Sequence, residues 1–200
     1  MVGPPLFIAT FLVEGATRPG YNPWRNFVSS LATGDGGWVQ IVNFLVWSAL
    51  ALGFAIGLVR VGIVGPGIVL IVYAAGTGVA GIFVTDPSLG YPPGAPQVHT
   101  TAGMIHGLGG LVVFVSNAVA AVATAVHFRS DPRAQGWVRA SLITGVIVLA
   151  LFVASTAVSV LDERGIWSNA PTGLIQRSSI VVGLTWIAAF ALRLRREPHN

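Results

Sequence analysis

The chain is 200 residues long, 54% hydrophobic and 9% charged, with no cysteine and eleven basic residues that are all arginine. Disulfides, thiolate nucleophiles and cysteine-held metals are excluded, and without lysine so is a Schiff-base pigment. The pI near 10.7 does not argue for nucleic acid, because the arginines sit at the ends of apolar segments, where membrane topology accounts for them.

A bilayer core takes about 20 consecutive apolar residues per helix. In chain order, segment 4–17 is apolar but short. No basic residue precedes it, so it lacks the form of a signal peptide, and the natural start is expected upstream of Met1. Segments 38–59, 63–83, 101–125, 137–161 and 172–192 are each long enough to cross. These segments predict an all-α fold: a polytopic membrane bundle of six transmembrane helices, the first one short, in one domain over residues 1–200.

Between the first two segments, Asn22 can cap a helix with Pro23 in its first turn. Trp24, Phe27, Val28 and Leu31 share one face, with Arg25, Asn26, Ser29 and Ser30 on the other, and Gly34 and Gly36 can end it. This spacing predicts an amphipathic helix over residues 23–32, lying in the outer membrane interface. Arginines set the orientation. Arg60, Arg129, Arg133, Arg139, Arg193, Arg195 and Arg196 mark one set of ends, against Arg18, Arg25, Arg164 and Arg177 on the other. The richer set is expected inside, which makes this a multi-pass protein of the cell membrane with a cytoplasmic C-terminus.

In the third span Gly76, Gly78 and Gly81 match G-x-G-x-x-G. No strand precedes them, so close helix packing is the better reading. Gly53 and Gly57, and Gly103 and Gly107, invite the same reading. On the fourth span His99, Gly103, His106, Gly110 and Asn117 fall in a narrow stripe. Polar side chains at membrane depth normally face the bundle interior or a wet cavity, so His106 is read as lining an outward-facing polar cavity and Asn117 as bonding a neighbouring helix. His99 and His106 lie about 10 Å apart along a helix, too far to share one ion; no metal and no cofactor is expected.

A pattern recurs three times. Gly37…Gln40, Gly103…His106 and Gly173…Gln176 each open an inward-running span, and Glu14, Asp86 and Asp162 end the spans before them. It suggests three related helical hairpins around a pseudo-axis. Arg177, about one turn inside the outer end, needs a partner: Asp86, Asp162 or Glu14, or an anionic ligand.

The run Arg18-Pro-Gly-Tyr-Asn-Pro-Trp-Arg25 with Ser29-Ser30-Leu31, the Gly37-Trp38-Val39-Gln40 opening, the Thr85-Asp86-Pro87 turn, Gly103…His106 and Gln176-Arg177 together resemble the prokaryotic integral membrane family called "domain of unknown function 998". The resemblance covers nearly the whole chain and implies a six-helix membrane protein; it brings no activity with it. A more distant similarity is to membrane hydrolases that set a Ser, a His and an Asp near one membrane face. Ser30, His106 and Asp86 would be the matching types, but the paired histidines of those enzymes' last helix are missing.

The leading functional reading is therefore a cavity that binds a small amphiphile or lipid headgroup, as sensor, partner subunit or transport component. His106 would be its polar anchor, Arg177 its anion contact, and Gln40 and Gln176 its orienting amides, with Arg25 and Ser30 beside them. The expected partners are membrane lipids and such an amphiphile, and no nucleic acid. A hydrolase using Ser30, His106 and Asp86 is the alternative, and a proton-coupled carrier a third, with no carboxylate in mid-membrane to serve it.

Overall fold

The computed structural model describes residues 2–196; Met1, residues 197–200 and the side chain of Arg196 lie outside this description. The described residues form six α-helices: α1 (Gly3–Thr17), α2 (Trp38–Arg60), α3 (Val64–Ile82), α4 (Thr101–Phe128), α5 (Gln135–Glu163) and α6 (Thr172–Arg196), with short 3-10 turns at Val28–Ala32 and Pro132–Ala134. Five of them, α2 to α6, are long and apolar enough to cross a membrane. α1 has 15 residues, about 22 Å at 1.5 Å per residue, short of the roughly 30 Å hydrocarbon core.

Each helix packs against the next, and α1 returns to α6, so the six close into a ring. Short links enforce the up-down order. Between α2 and α3 the chain reverses on Gly62, at φ 84°. Ile63 N donates to Leu58 O and Gly62 N to Val59 O, the paired bonds that end a helix on a left-handed glycine.

Large apolar side chains face outward as well as inward, unlike in a water-soluble protein, and many small ones are buried. Leu142, Ile143, Val146 and Val153 of α5 are exposed, whereas Ala51, Ala55, Ala74, Ala120 and Ala121 are buried. Lipid solvates the first group, and the second lets backbones approach. A Cβ on Gly76 would stand 3.1 Å from Gly109 O, and one on Gly109 would stand 3.0 Å from Gly76 O. Gly76 thus marks the α3–α4 crossing, whereas Gly78 and Gly81 pack against Ser48, Phe44 and Leu45 of α2. Gly53, Gly57 and Gly107 do not pack as expected: nothing lies within 4 Å of a Cβ at any of them, and all three are exposed. A lipid-facing glycine and a packed one have the same spacing.

The end of the bundle where α6 finishes is tied by aromatics. Trp137 stacks on Trp186 with centroids 6.1 Å apart, and Phe190 meets Phe54, Phe128 and Trp186. The opposite end is closed by the three long loops, and is called the capped end below.

Candidate functional site

Residues 23–32 do not form the expected amphipathic helix in the interface. Asn22 does cap, its Oδ1 accepting from Trp24 N at 3.0 Å, but a turn follows, and then the 3-10 turn Val28–Ala32. That turn is buried rather than surface-lying: Val28, Ser30 and Leu31 are at most 1% exposed. Val28 and Leu31 meet helices instead of lipid, as the turn packs between α1, α2 and α6, while Trp24 stays exposed. The segment is a plug in the capped end of the ring.

Three arginines hold it. Arg18 pairs with Glu14 of α1 and donates to the carbonyls of Asp35 and Gly36. Arg25 reaches α5, giving Asp162 two hydrogen bonds at 2.9 and 2.7 Å, while Asp162 also accepts from Ala170 N at 3.0 Å. This carboxylate, with its paired hydrogen bonds, raises Arg25 above the ordinary arginine value. Arg177 of α6 donates to Pro23 O, to Asn26 O and to the Tyr21 hydroxyl. Tyr21 in turn donates to Phe27 O at 2.9 Å, and burial pushes its phenol up to about 12 against the pull of Arg177. The expectation that Arg177 pairs with Asp86, Asp162 or Glu14 is therefore not met. Asp162 is committed to Arg25, and carbonyl dipoles take its place. The loop before α4 completes the cap: Asn26 donates to Leu89 O at 2.9 Å, and Tyr91 meets Tyr21 edge-on.

The thrice-repeated pattern has a common physical use. Gly37 lies against Ala32 O, Gly103 against the Asp86 carboxylate and Gly173 against Asn26 O, each so close that a Cβ would collide with that oxygen. The acids fasten loops: Glu14 to Arg18, Asp86 to Thr100 and Asp162 to Arg25. Three residues past each glycine a polar side chain holds its surroundings: Gln40 and His106 are buried and Gln176 is half-buried. Gln40 Oε1 accepts from Asn43 Nδ2 at 3.2 Å, His106 Nδ1 bonds Ala80 O and Phe83 O at 3.0 and 2.8 Å, and Gln176 Oε1 accepts from Val28 N at 2.8 Å. Gly173→Ala is expected to push Asn26 and the plug outward and to cost about 1–3 kcal/mol, as overpacking does, read as a lower thermal midpoint beside an unaffected Gly107→Ala.

A second prediction concerns acid. Thr100 donates to Asp86 through its hydroxyl at 2.7 Å and its N–H at 2.8 Å, and these bonds hold the Asp86 carboxyl below its ordinary 3.8. A depressed acid stabilises above its unfolded value and loses that contribution as pH falls through the folded one. The thermal midpoint should begin to fall below about pH 4, and Asp86→Asn should remove part of that dependence.

Beneath the plug lies a cavity of about 70 Å³, lined by the plug, by His106 and Gly110 of α4, by Gln176 and Ile180 of α6, and by residues of α1, α2 and α3. Most of its wall is apolar or aromatic, including Phe7, Phe44, Trp47 and Phe114; Ser29, Thr77, Tyr73, His106 and Gln176 supply polar groups. Gly110 has nothing within 4 Å of a Cβ, so its missing side chain makes part of the space. Two carbonyl oxygens at Nδ1 can only accept, so Nδ1 of His106 carries the proton, and Nε2 is left as an acceptor in the neutral ring. A smaller cavity of about 20 Å³ continues along α4 and α6, past Asn117 and Ser179.

Several sequence-predicted residues sit differently. His99 precedes Thr100, whose side chain caps α4 by accepting from Gly103 N; it is exposed and outside the helical stripe. Asn117 lies against Gly183 and bonds no neighbouring helix among the described residues; its Oδ1 is without a partner. Ser30 Oγ and Gln40 Nε2 are likewise buried without partners. No hydrogen bond joins Ser30, His106 and Asp86. Both Asp86 oxygens serve Thr100 and His106 Nδ1 serves backbone carbonyls, so the contact by which an aspartate orients a catalytic histidine is already filled at both ends. Among the described residues no three His, Asp or Glu side chains cluster closely enough to hold a metal.

Tyr21 and Asn26 carry no sequence signal of their role as Arg177's partners, and Asp162, expected as a partner of Arg177, is instead the partner of Arg25. A family model described as "Protein of unknown function (DUF998)" matches residues 1–193. No curated protein and no solved structure matches the chain. The chain belongs to the DUF998 family.

Proposed function

We propose that this DUF998 protein binds the apolar part of a small amphiphile in the cavity beneath its plug, with the polar end of the ligand held by His106 Nε2 and the Gln176 amide. The capped end would face the outside and the arginine-rich C-terminal end the cytoplasm. The observation that carries the reading is the cavity itself: a mostly apolar space with a few polar groups, lined by five helices and the loop before α2, as small-molecule sites commonly are. Its size suits several waters or one slim chain, not a whole lipid. Arg25 and Arg177 serve as fasteners of the plug rather than as ligand contacts; Ser30, within the plug, and Gln40 of α2 are buried with polar atoms to spare. A cavity closed by a latched loop suits a sensor or a transport component.

Gly110 and Gly107 offer a matched test, since neither has anything within 4 Å of a Cβ, yet only Gly110 lines the cavity. Native mass spectrometry of protein released in mild detergent should show a small bound amphiphile in the unaltered chain and in Gly107→Phe, and none in Gly110→Phe. Equal retention in Gly110→Phe, or no bound amphiphile in any of the three, would sink the reading.

A further inference from the structure

The polar groups of the cavity beneath the plug are already partly committed to the protein, and what each has left restricts the ligand. Val28 N–H can only donate, so the Gln176 atom it meets at 2.8 Å is Oε1 and the orientation of the amide is fixed. Gln176 Nε2 remains, a donor that bonds no protein group among the described residues. His106 is the opposite case. Its Nδ1 proton is held by Ala80 O and Phe83 O, so Nε2 of the neutral ring can only accept. Thr77 donates its hydroxyl to Tyr73 O at 2.9 Å, while the hydroxyls of Ser29 and Tyr73 can turn to suit a partner and so discriminate less. One turn beyond His106 on the same helix face, Gly110 has nothing within 4 Å of a Cβ, which leaves room for a ligand atom.

Among the described residues no Asp, Glu or Arg side chain lines this cavity. The ionic groups of the capped end serve other partners: Arg177 the plug, Arg25 the Asp162 carboxylate and Asp86 the Thr100 hydroxyl. A phosphate or an ammonium would be buried here without a counter-charge, against a wall that is mostly aromatic and aliphatic. An ester or an ether, which only accepts, would satisfy Gln176 and leave His106 Nε2 facing a lone pair. The requirement is an uncharged group with both a proton to give and a lone pair to offer, met most compactly by an O–H. We propose that the ligand of this cavity is an uncharged O–H amphiphile, an alcohol or an undissociated carboxylic acid, donating to His106 Nε2 and accepting from Gln176 Nε2. This rests on the cavity binding an amphiphile at all, and narrows which. The tail lies along α4 from His106 to Phe114, about 12 Å of helix at 1.5 Å per residue, a span suited to a chain as long as that of octanol.

The test offers delipidated protein in mild detergent an equimolar mixture of octanol and methyl octyl ether, and separately of octanoic acid and methyl octanoate. Within each pair only the proton-bearing member can satisfy His106 Nε2. Probe retained by the re-isolated protein is quantified by mass spectrometry, and retention by Gly110→Phe, whose cavity is filled, is subtracted. The proton-bearing member of at least one pair is expected to exceed its methylated partner about tenfold, the effect of one buried acceptor left unsatisfied; which pair shows it tells alcohol from acid. His106→Asn keeps an N–H donor where Nδ1 stands, for Ala80 O and Phe83 O, but has no Nε2, and should lose that preference with a thermal midpoint near that of the unaltered chain. The competition on the unaltered chain decides even if this variant fails to fold. Equal retention within both pairs, still above Gly110→Phe, would overturn the O–H assignment and leave the cavity as an amphiphile site. So would stronger retention of octyl phosphate or octyltrimethylammonium than of either O–H probe. No probe retained above Gly110→Phe would overturn both.

Discussion

Arg177→Met is expected to be the most damaging single change at the capped end. The guanidinium bonds Pro23 O, Asn26 O and the Tyr21 hydroxyl, and stacks over the Tyr21 ring at 5.4 Å. Methionine keeps the length of the side chain but removes every donor, so oxygens of the plug lose their partner in a site where Arg177 itself is only 8% exposed. Hydrogen bonds to a charged group contribute about 1.5–3 kcal/mol each. Removing a buried charge returns part of its desolvation cost, so a net loss of about 3 kcal/mol is expected, seen as a fall of several degrees in thermal midpoint. The chain has no cysteine, so a single introduced thiol reports one position cleanly. Ser30→Cys, at a site 1% exposed, should resist a polar thiol reagent in the native background and react when Arg177→Met is added. A plug that stays unreactive would mean that Arg177 does not latch it.

The second large effect is expected at Asp162. Its side chain is 0% exposed and its Arg25 partner 31%. The two ends of this ion pair therefore respond differently to being orphaned. Asp162→Ala leaves Ala170 N buried without its acceptor, a cost of about 1–3 kcal/mol, and frees Arg25 from α5. Arg25→Ala strands the carboxylate instead and should cost more, because an uncompensated buried charge is dearer than a guanidinium that can turn to water. Thermal midpoints of both single variants and of the double variant would show this. The double variant should be less impaired than the sum of the singles, which marks a direct coupling; simple additivity would contradict the pairing.

Much of the architecture was legible because membrane physics writes it in long apolar runs. The five spanning helices and the short first one follow directly from them. The plug was half legible. The alternation of Trp24, Phe27, Val28 and Leu31 with polar residues signalled a segment with an apolar side, but the same pattern serves whether that side meets lipid or protein, and here its Val28 and Leu31 meet helices. Arg177 shows another limit. The need for a partner was readable from its depth, whereas backbone carbonyls of a distant loop leave no mark in sequence. His106 was placed inside the bundle by its stripe; that its Nδ1 would be occupied by Ala80 and Phe83 carbonyls depended on where α3 ends. Glycines were ambiguous for the same reason throughout. Gly76 packs, Gly107 faces outward and Gly110 opens a cavity, and nothing local to the three distinguishes them.

The loop before α2 is expected to seal the cavity that contains His106. Thr77 lines that cavity and is 3% exposed, so Thr77→Cys places a thiol on its wall. In a bilayer nanodisc, the labelling rate with a polar, membrane-impermeant thiol reagent should be negligible in the native background and should rise at least tenfold with Arg177→Met. Rapid labelling of Thr77→Cys with the latch intact, or no labelling once the latch is removed, would contradict it.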